Sequence, residues 1–86
     1  DSDAVRVVKT IMFTCGMYDG SGEFAVRVGI PTKSGVGGGI LAVVEKRMGI
    51  GIYGPALNEK GNSIGGSHVL EYLSKELNLH MFAAEQ

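Results

Sequence analysis

Lys33-Ser34-Gly35 follows Pro31-Thr32 and runs into Val36-Gly37-Gly38-Gly39. A lysine beside backbone without side-chain shielding suits a developing negative charge. Exposed peptide N–H groups bind an oxyanion, and an ammonium offsets a carboxylate. On an extended strand Lys33 and Gly35 face one side and Ser34 the other, so the ammonium and the hydroxyl do not share a face. Upstream, Tyr18 sits in Cys15-Gly16-Met17-Tyr18-Asp19-Gly20-Ser21-Gly22, where flexible glycines can hold a phenol at a surface. Taken alone, the two stretches fit an ordinary strand entry and a packed loop tyrosine better than a site.

Other chemistries are weaker. A phosphate-binding P-loop needs Gly immediately before Lys-Ser and another Gly five residues earlier. Here Thr32 and Arg27 hold those places. Gly37-Gly38-Gly39-Ile40-Leu41-Ala42 fits a dinucleotide fingerprint by letter but leads into a strand, whereas the fingerprint needs a helix N-terminus for the pyrophosphate. His68 and His80 are too far apart, with no third ligand spaced to converge, and read as surface or helix-end histidines. Cys15 falls on an apolar helical stripe and reads as a buried small hydrophobe. No metal and no cofactor are expected.

The elements that must hold these residues follow from periodicity. Asp1, Ser2 or Asp3 can cap a first helix whose stripe is Val5, Val8, Ile11, Met12 and Cys15, with Gly16 as a left-handed stop. Glu23 to Val28 is ambiguous: Phe24, Val26 and Val28 alternate like a strand, yet Ser21 able to cap and Gly29 with Pro31 able to stop it favour a short helix. Three strands are expected over Thr32 to Val36, Ile40 to Val44 and Met48 to Tyr53, joined by tight turns as an antiparallel meander. Asn62 or Ser63 can cap a closing helix with Val69, Leu70, Leu73 and Leu77 on its apolar stripe, ending at Asn78. Helix, meander, helix is an α+β arrangement.

The chain has 86 residues, 44% of them hydrophobic and 20% charged, with a formal net charge of -1. That length allows one small core. The near-zero charge offers no footprint for nucleic acid, and no run approaches the length of a membrane span. One cysteine makes no internal disulfide, so a reducing, cytoplasmic setting is expected. The chain opens Asp1-Ser2-Asp3-Ala4 without an initiator methionine, and processing or truncation of a longer polypeptide is expected.

The stretches TCGMYDGSGEFAVRVGIPTKSGVGGGILAVV and RMGIGIYGPALNEKGNSIGG resemble the C-terminal portion of the serine-dependent glutaminases, a likeness running from about Thr10 to Phe82. The resemblance implies a fold similar to the serine β-lactamases and penicillin-binding proteins. Residues 1–86 would then be one segment, the C-terminal part of an α/β/α catalytic domain. It implies hydrolysis of L-glutamine to L-glutamate and ammonia through a serine acyl-enzyme. Tyr18 would contact substrate and relay a proton, and the Val36 N–H would complete the oxyanion hole. Lys33, Ser34 and Gly35 resemble the Lys-Ser/Thr-Gly strand that lines the substrate cleft.

The family's nucleophile is a Ser-x-x-Lys, and no serine here is followed three positions later by lysine. The chain is therefore expected to be one wall of a site completed by the remainder of a glutaminase polypeptide, inactive alone, and active as a homo-oligomer. Isolated, it is expected to expose apolar faces. The competing readings are a non-catalytic ligand-binding or assembly module on the same scaffold and, below it, a transpeptidase or lactamase.

Overall fold

The computed structural model describes residues 1–83. Helix α1, Ser2–Cys15, starts where the Asp1 carboxylate accepts from the Asp3 N–H at 2.9 Å, satisfying one orphan donor of the first turn. A 3-10 turn, Tyr18–Gly20, leads into α2, Ser21–Arg27. Gly29, at φ 65, then turns the chain away, a left-handed conformation that glycine adopts freely.

The meander follows as β1 (Thr32–Ser34), β2 (Gly39–Val44) and β3 (Met48–Tyr53), in spatial order β1-β2-β3 and antiparallel throughout. Its register pairs Lys33 with Leu41 and Leu41 with Gly51, and Ser34 with Ile40 and Ile40 with Ile52. With a side-chain period of two, this register sends Thr32, Ser34, Ile40, Ala42 and Val44 to one buried face. Lys33, Leu41, Gly51 and Tyr53 lie exposed on the other. The closing helix, α3, is Ile64–Glu76, and the Ser63 hydroxyl caps it by accepting from the Gly66 N–H at 3.0 Å.

Met17, Val28, Ile30, Ile40, Ala42, Val44, Leu70 and Leu79 form the core between sheet and helices. The α+β arrangement expected from periodicity is the one found. The strand expected over Thr32 to Val36 ends at Ser34, because Gly35 already bonds across the turn to Gly39.

Two expectations at α1 fail. Gly16 is not a left-handed stop: at φ -67 and ψ -21 it continues the helical backbone. It is glycine because β1 passes over it, so that a Cβ there would lie 1.8 Å from the Thr32 carbonyl oxygen. Cys15 is exposed rather than buried, since no residue of α1 is buried among the described residues. The stripe is apolar as expected but largely bare: Met12 is half-buried, while Val5, Val8 and Ile11 are each more than half exposed. No helix among the described residues is long and apolar enough to cross a membrane.

Candidate functional site

The turn after α1 and the end of β1 are joined through one peptide. The Ser34 N–H donates to the Gly16 carbonyl at 2.9 Å, and the Tyr18 phenol donates to the Ser34 carbonyl at 3.2 Å. The Lys33 ammonium donates to that same carbonyl and lies 4.7 Å from the centroid of the Tyr18 ring, inside the range of a cation–π contact. A carbonyl oxygen has two lone pairs, so both donors are accommodated. Phenol and ammonium thereby meet at the strand end, although the two residues stand fifteen positions apart in the sequence.

Tyr18 is held in an unusual backbone state. Its φ is 55, which costs a bulky residue about 1–3 kcal/mol unless the surroundings fix it. Ser21 contributes to that fixing: its hydroxyl accepts from the Met17 N–H at 2.9 Å and donates to the Tyr18 carbonyl at 2.8 Å. In the sequence Ser21 reads as a helix cap, but the cap position falls to Gly20. The ring itself remains partly open to solvent, at 39% exposure.

Beyond β1 the glycines close a tight loop. The Gly35 N–H donates to the Gly39 carbonyl at 2.9 Å and the Gly38 N–H to the Gly35 carbonyl at 3.0 Å. Gly38 has φ 100, and a Cβ there would lie 2.7 Å from the Gly54 carbonyl oxygen. Val36 rides at the outer end of this loop, 71% exposed. Among the described residues its N–H meets no acceptor, so the loop presents a free donor.

The exposed sheet face beside the loop is an open cleft of about 570 Å³ lined by Lys33, Gly35, Gly39, Leu41, Gly51 and Tyr53, among others. Gly51 and Gly39 leave the backbone bare there, as the glycine-rich sequence suggests. A larger hollow, about 700 Å³, runs along α1 between Val5, Phe13, Pro31 and Met81. It is mostly apolar and contains none of the five sequence-predicted site residues.

Four of those five, Tyr18, Lys33, Gly35 and Val36, thus border solvent at one end of the sheet. Ser34 differs: it is 1% exposed and its hydroxyl, on the packed face, has no hydrogen-bond partner among the described residues. Its backbone, not its side chain, joins the cluster. No base stands beside that hydroxyl, so the arrangement has donors for an oxyanion and a phenol for proton transfer but no activated nucleophile among the described residues. His80 is structural, its Nε2 lying 2.8 Å from the Val26 carbonyl and its Nδ1 accepting from the Phe82 N–H. No three His, Cys, Asp or Glu side chains converge among the described residues.

A family model described as Glutaminase matches residues 1–82. Glutaminase from Fusobacterium nucleatum is 68% identical over 77 residues, which are 90% of this chain and 25% of that protein. Among solved structures, a Bacillus glutaminase crystallised in 4.3 M NaCl superposes with a TM-score of 0.90 at 47% identity, covering 93% of this chain and 28% of that one. A Bacillus subtilis glutaminase, solved as the covalent complex with 5-oxo-L-norleucine formed by reaction with 6-diazo-5-oxo-L-norleucine, superposes with a TM-score of 0.86 at 45% identity. It covers 93% of this chain and 30% of that one. The chain spans about a quarter of the length of the curated relatives it matches.

Proposed function

The chain belongs to the glutaminase family, and we propose that it is the C-terminal segment of a longer catalytic domain that hydrolyses L-glutamine to L-glutamate and ammonia. The observation that carries this reading is the meeting of the Tyr18 phenol and the Lys33 ammonium on the Ser34 carbonyl, beside a Val36 N–H that meets no acceptor among the described residues. The nucleophilic serine and its lysine lie on polypeptide outside residues 1–86. The covalent complex that the Bacillus subtilis relative forms with a diazo ketone supports nucleophilic catalysis in this family.

In that reaction the lysine takes the serine's proton as the serine oxygen bonds to the carboxamide carbon, and the carbonyl electron pair moves onto oxygen. The Val36 N–H donates to the oxyanion so formed. The carbon–nitrogen bond then breaks as the carbonyl re-forms and the Tyr18 phenol passes a proton to the departing amide nitrogen, which leaves as ammonia while the lysine returns the serine's proton to the phenolate. Water cleaves the ester, releasing glutamate and restoring the serine. Lys33, on the cleft side of β1, offsets the negative carboxylate of the substrate. Ser34 and Gly35 contribute backbone to the cleft wall. The working enzyme is a cytoplasmic homo-oligomer on this reading, and the rest of the polypeptide covers the bare apolar stripe of α1.

The test is ammonia release from L-glutamine by the full polypeptide that carries this segment. Tyr18→Phe in that polypeptide is expected to lower turnover by about 10²–10⁴, the usual scale for a lost proton-transfer group. Near-normal turnover in Tyr18→Phe removes the role given to Tyr18. No ammonia from the full polypeptide favours the non-catalytic module instead.

A further inference from the structure

The loop ahead of α3 offers two side chains able to cap it, and the structure divides them. Ser63 caps. Asn62 turns away, 3% exposed, and its Nδ2 donates to the Met17 carbonyl at 2.8 Å across 45 residues of sequence. Met17 is in the core at 1% exposure and immediately precedes Tyr18. Its carbonyl also accepts from the Gly20 N–H at 3.1 Å, the bond that closes the 3-10 turn.

Asn62 is itself fixed. The Asn58 carboxamide oxygen accepts from the Lys60 N–H at 2.9 Å and the Asn62 N–H at 3.1 Å. The Asn62 carbonyl in turn accepts from the Asn58 N–H at 2.8 Å. The amide therefore reaches Met17 from a rigid base. Its own oxygen, Oδ1, is buried without a partner among the described residues, a loss that helix capping does not require. The neighbouring Gly61 has φ 90 and brings its backbone against the Tyr18 ring, where a Cβ would lie 3.6 Å from the ring edge.

We propose that Asn62 is a positioning residue for Tyr18. Its buried amide ties the Met17 carbonyl to the base of α3 and keeps the next residue in its left-handed state, with the phenol on the Ser34 carbonyl. Ser21 fixes the turn from within, and Asn62 fixes it to the body of the fold. The structural part of this inference stands on the geometry, and its kinetic consequence rests on the proposed role of Tyr18.

The experiment replaces Asn62 in the full polypeptide and reads two signals. Amide hydrogen exchange over residues 17–21 is expected to quicken by about tenfold or more in Asn62→Ala, because the turn opens locally. The kcat for glutamine is expected to fall by about tenfold or more while KM stays within about threefold, the pattern of a lost transition-state contact. In a Tyr18→Phe background the same substitution is expected to change the residual kcat by less than about twofold, since a residue acting through the phenol has nothing left to act on. Asn62→Ser, which removes the same donor with less loss of volume, serves if Asn62→Ala fails to fold.

Unchanged exchange, or kinetic effects of the two substitutions that simply multiply, overturns the inference while leaving the glutaminase reading intact. If the unsubstituted polypeptide releases no ammonia, that reading fails by itself, and the exchange result alone then supports or overturns the positioning of Tyr18.

Discussion

Gly16→Ala tests the joint on which the site depends. The backbone there, at φ -67 and ψ -21, suits any residue, so no conformational strain enters. The cost is steric: the added Cβ would lie 1.8 Å from the Thr32 oxygen and 2.4 Å from the Met12 oxygen. Ordinary contact begins near 3.4 Å, so β1 must retreat by more than an ångström, and both obstacles are backbone. Overpacking of this kind costs about 1–3 kcal/mol, and loss of the Ser34–Gly16 bond adds about 1 kcal/mol. A total near 3 kcal/mol moves the urea midpoint of a polypeptide with a slope of about 3 kcal/mol/M by about 1 M.

Gly22→Ala is the control, because a Cβ there meets nothing within 4 Å and lies in α2. It is expected to be neutral or stabilising by up to about 1 kcal/mol, since alanine is the better helix former. Both variants are read by urea unfolding and by ammonia release. Gly16→Ala is expected to lose activity as well, because β1 and the Tyr18 turn move apart. Equal midpoints for the two variants, or full activity in Gly16→Ala, would refute the joint.

Two more expectations follow from the same geometry. Val36→Pro removes the exposed N–H and is expected to lower kcat by about 10²–10³, as for other lost oxyanion donors. Val36→Ala, which alters a side chain 71% exposed, is expected to leave it nearly unchanged, and equal losses would shift the role to the side chain. The hydrogen bond and charge of Lys9 hold the Glu45 carboxyl below its ordinary value of 4.5, with Lys46 adding a smaller pull against weak desolvation. A depressed carboxyl contributes stability that is present above its ordinary value and lost as the pH falls through the lower, folded one. Lys9→Ala is therefore expected to return Glu45 to its usual range in an NMR titration and to flatten that acid-side loss. An unmoved Glu45 would contradict the pairing.

Sequence pattern reached most of the fold. The segment before Pro31 reads as strand or short helix, and it is the helix. The β3 boundaries and the closing-helix cap among Asn62 and Ser63 were legible, because each rests on local chemistry: alternation and a side-chain acceptor. Contacts between distant segments were not. Gly16 looks like a helix stop because its constraint comes from Thr32, a strand away. Cys15 looks buried because a stripe reveals which side of a helix is apolar, not whether this chain supplies the cover. Tyr18 gave no sign of φ 55, and Asn62 gave none that its amide belongs to Met17. Residue type and spacing singled out Tyr18, Lys33, Ser34 and Gly35, and the resemblance added Val36 and the roles; the structure adds how four of the five share one end of the sheet and why Ser34 takes part through its backbone.

The most direct measurement is to react the full polypeptide with 6-diazo-5-oxo-L-norleucine, digest it, and locate the covalent adduct by mass spectrometry. The account expects one adduct, on a serine followed three positions later by lysine and outside residues 1–86, with every peptide of this segment unmodified. An adduct within the segment, on Ser34 or Cys15 for example, would contradict the reading of this chain as the wall that holds the oxyanion and the phenol, and so would the absence of any adduct.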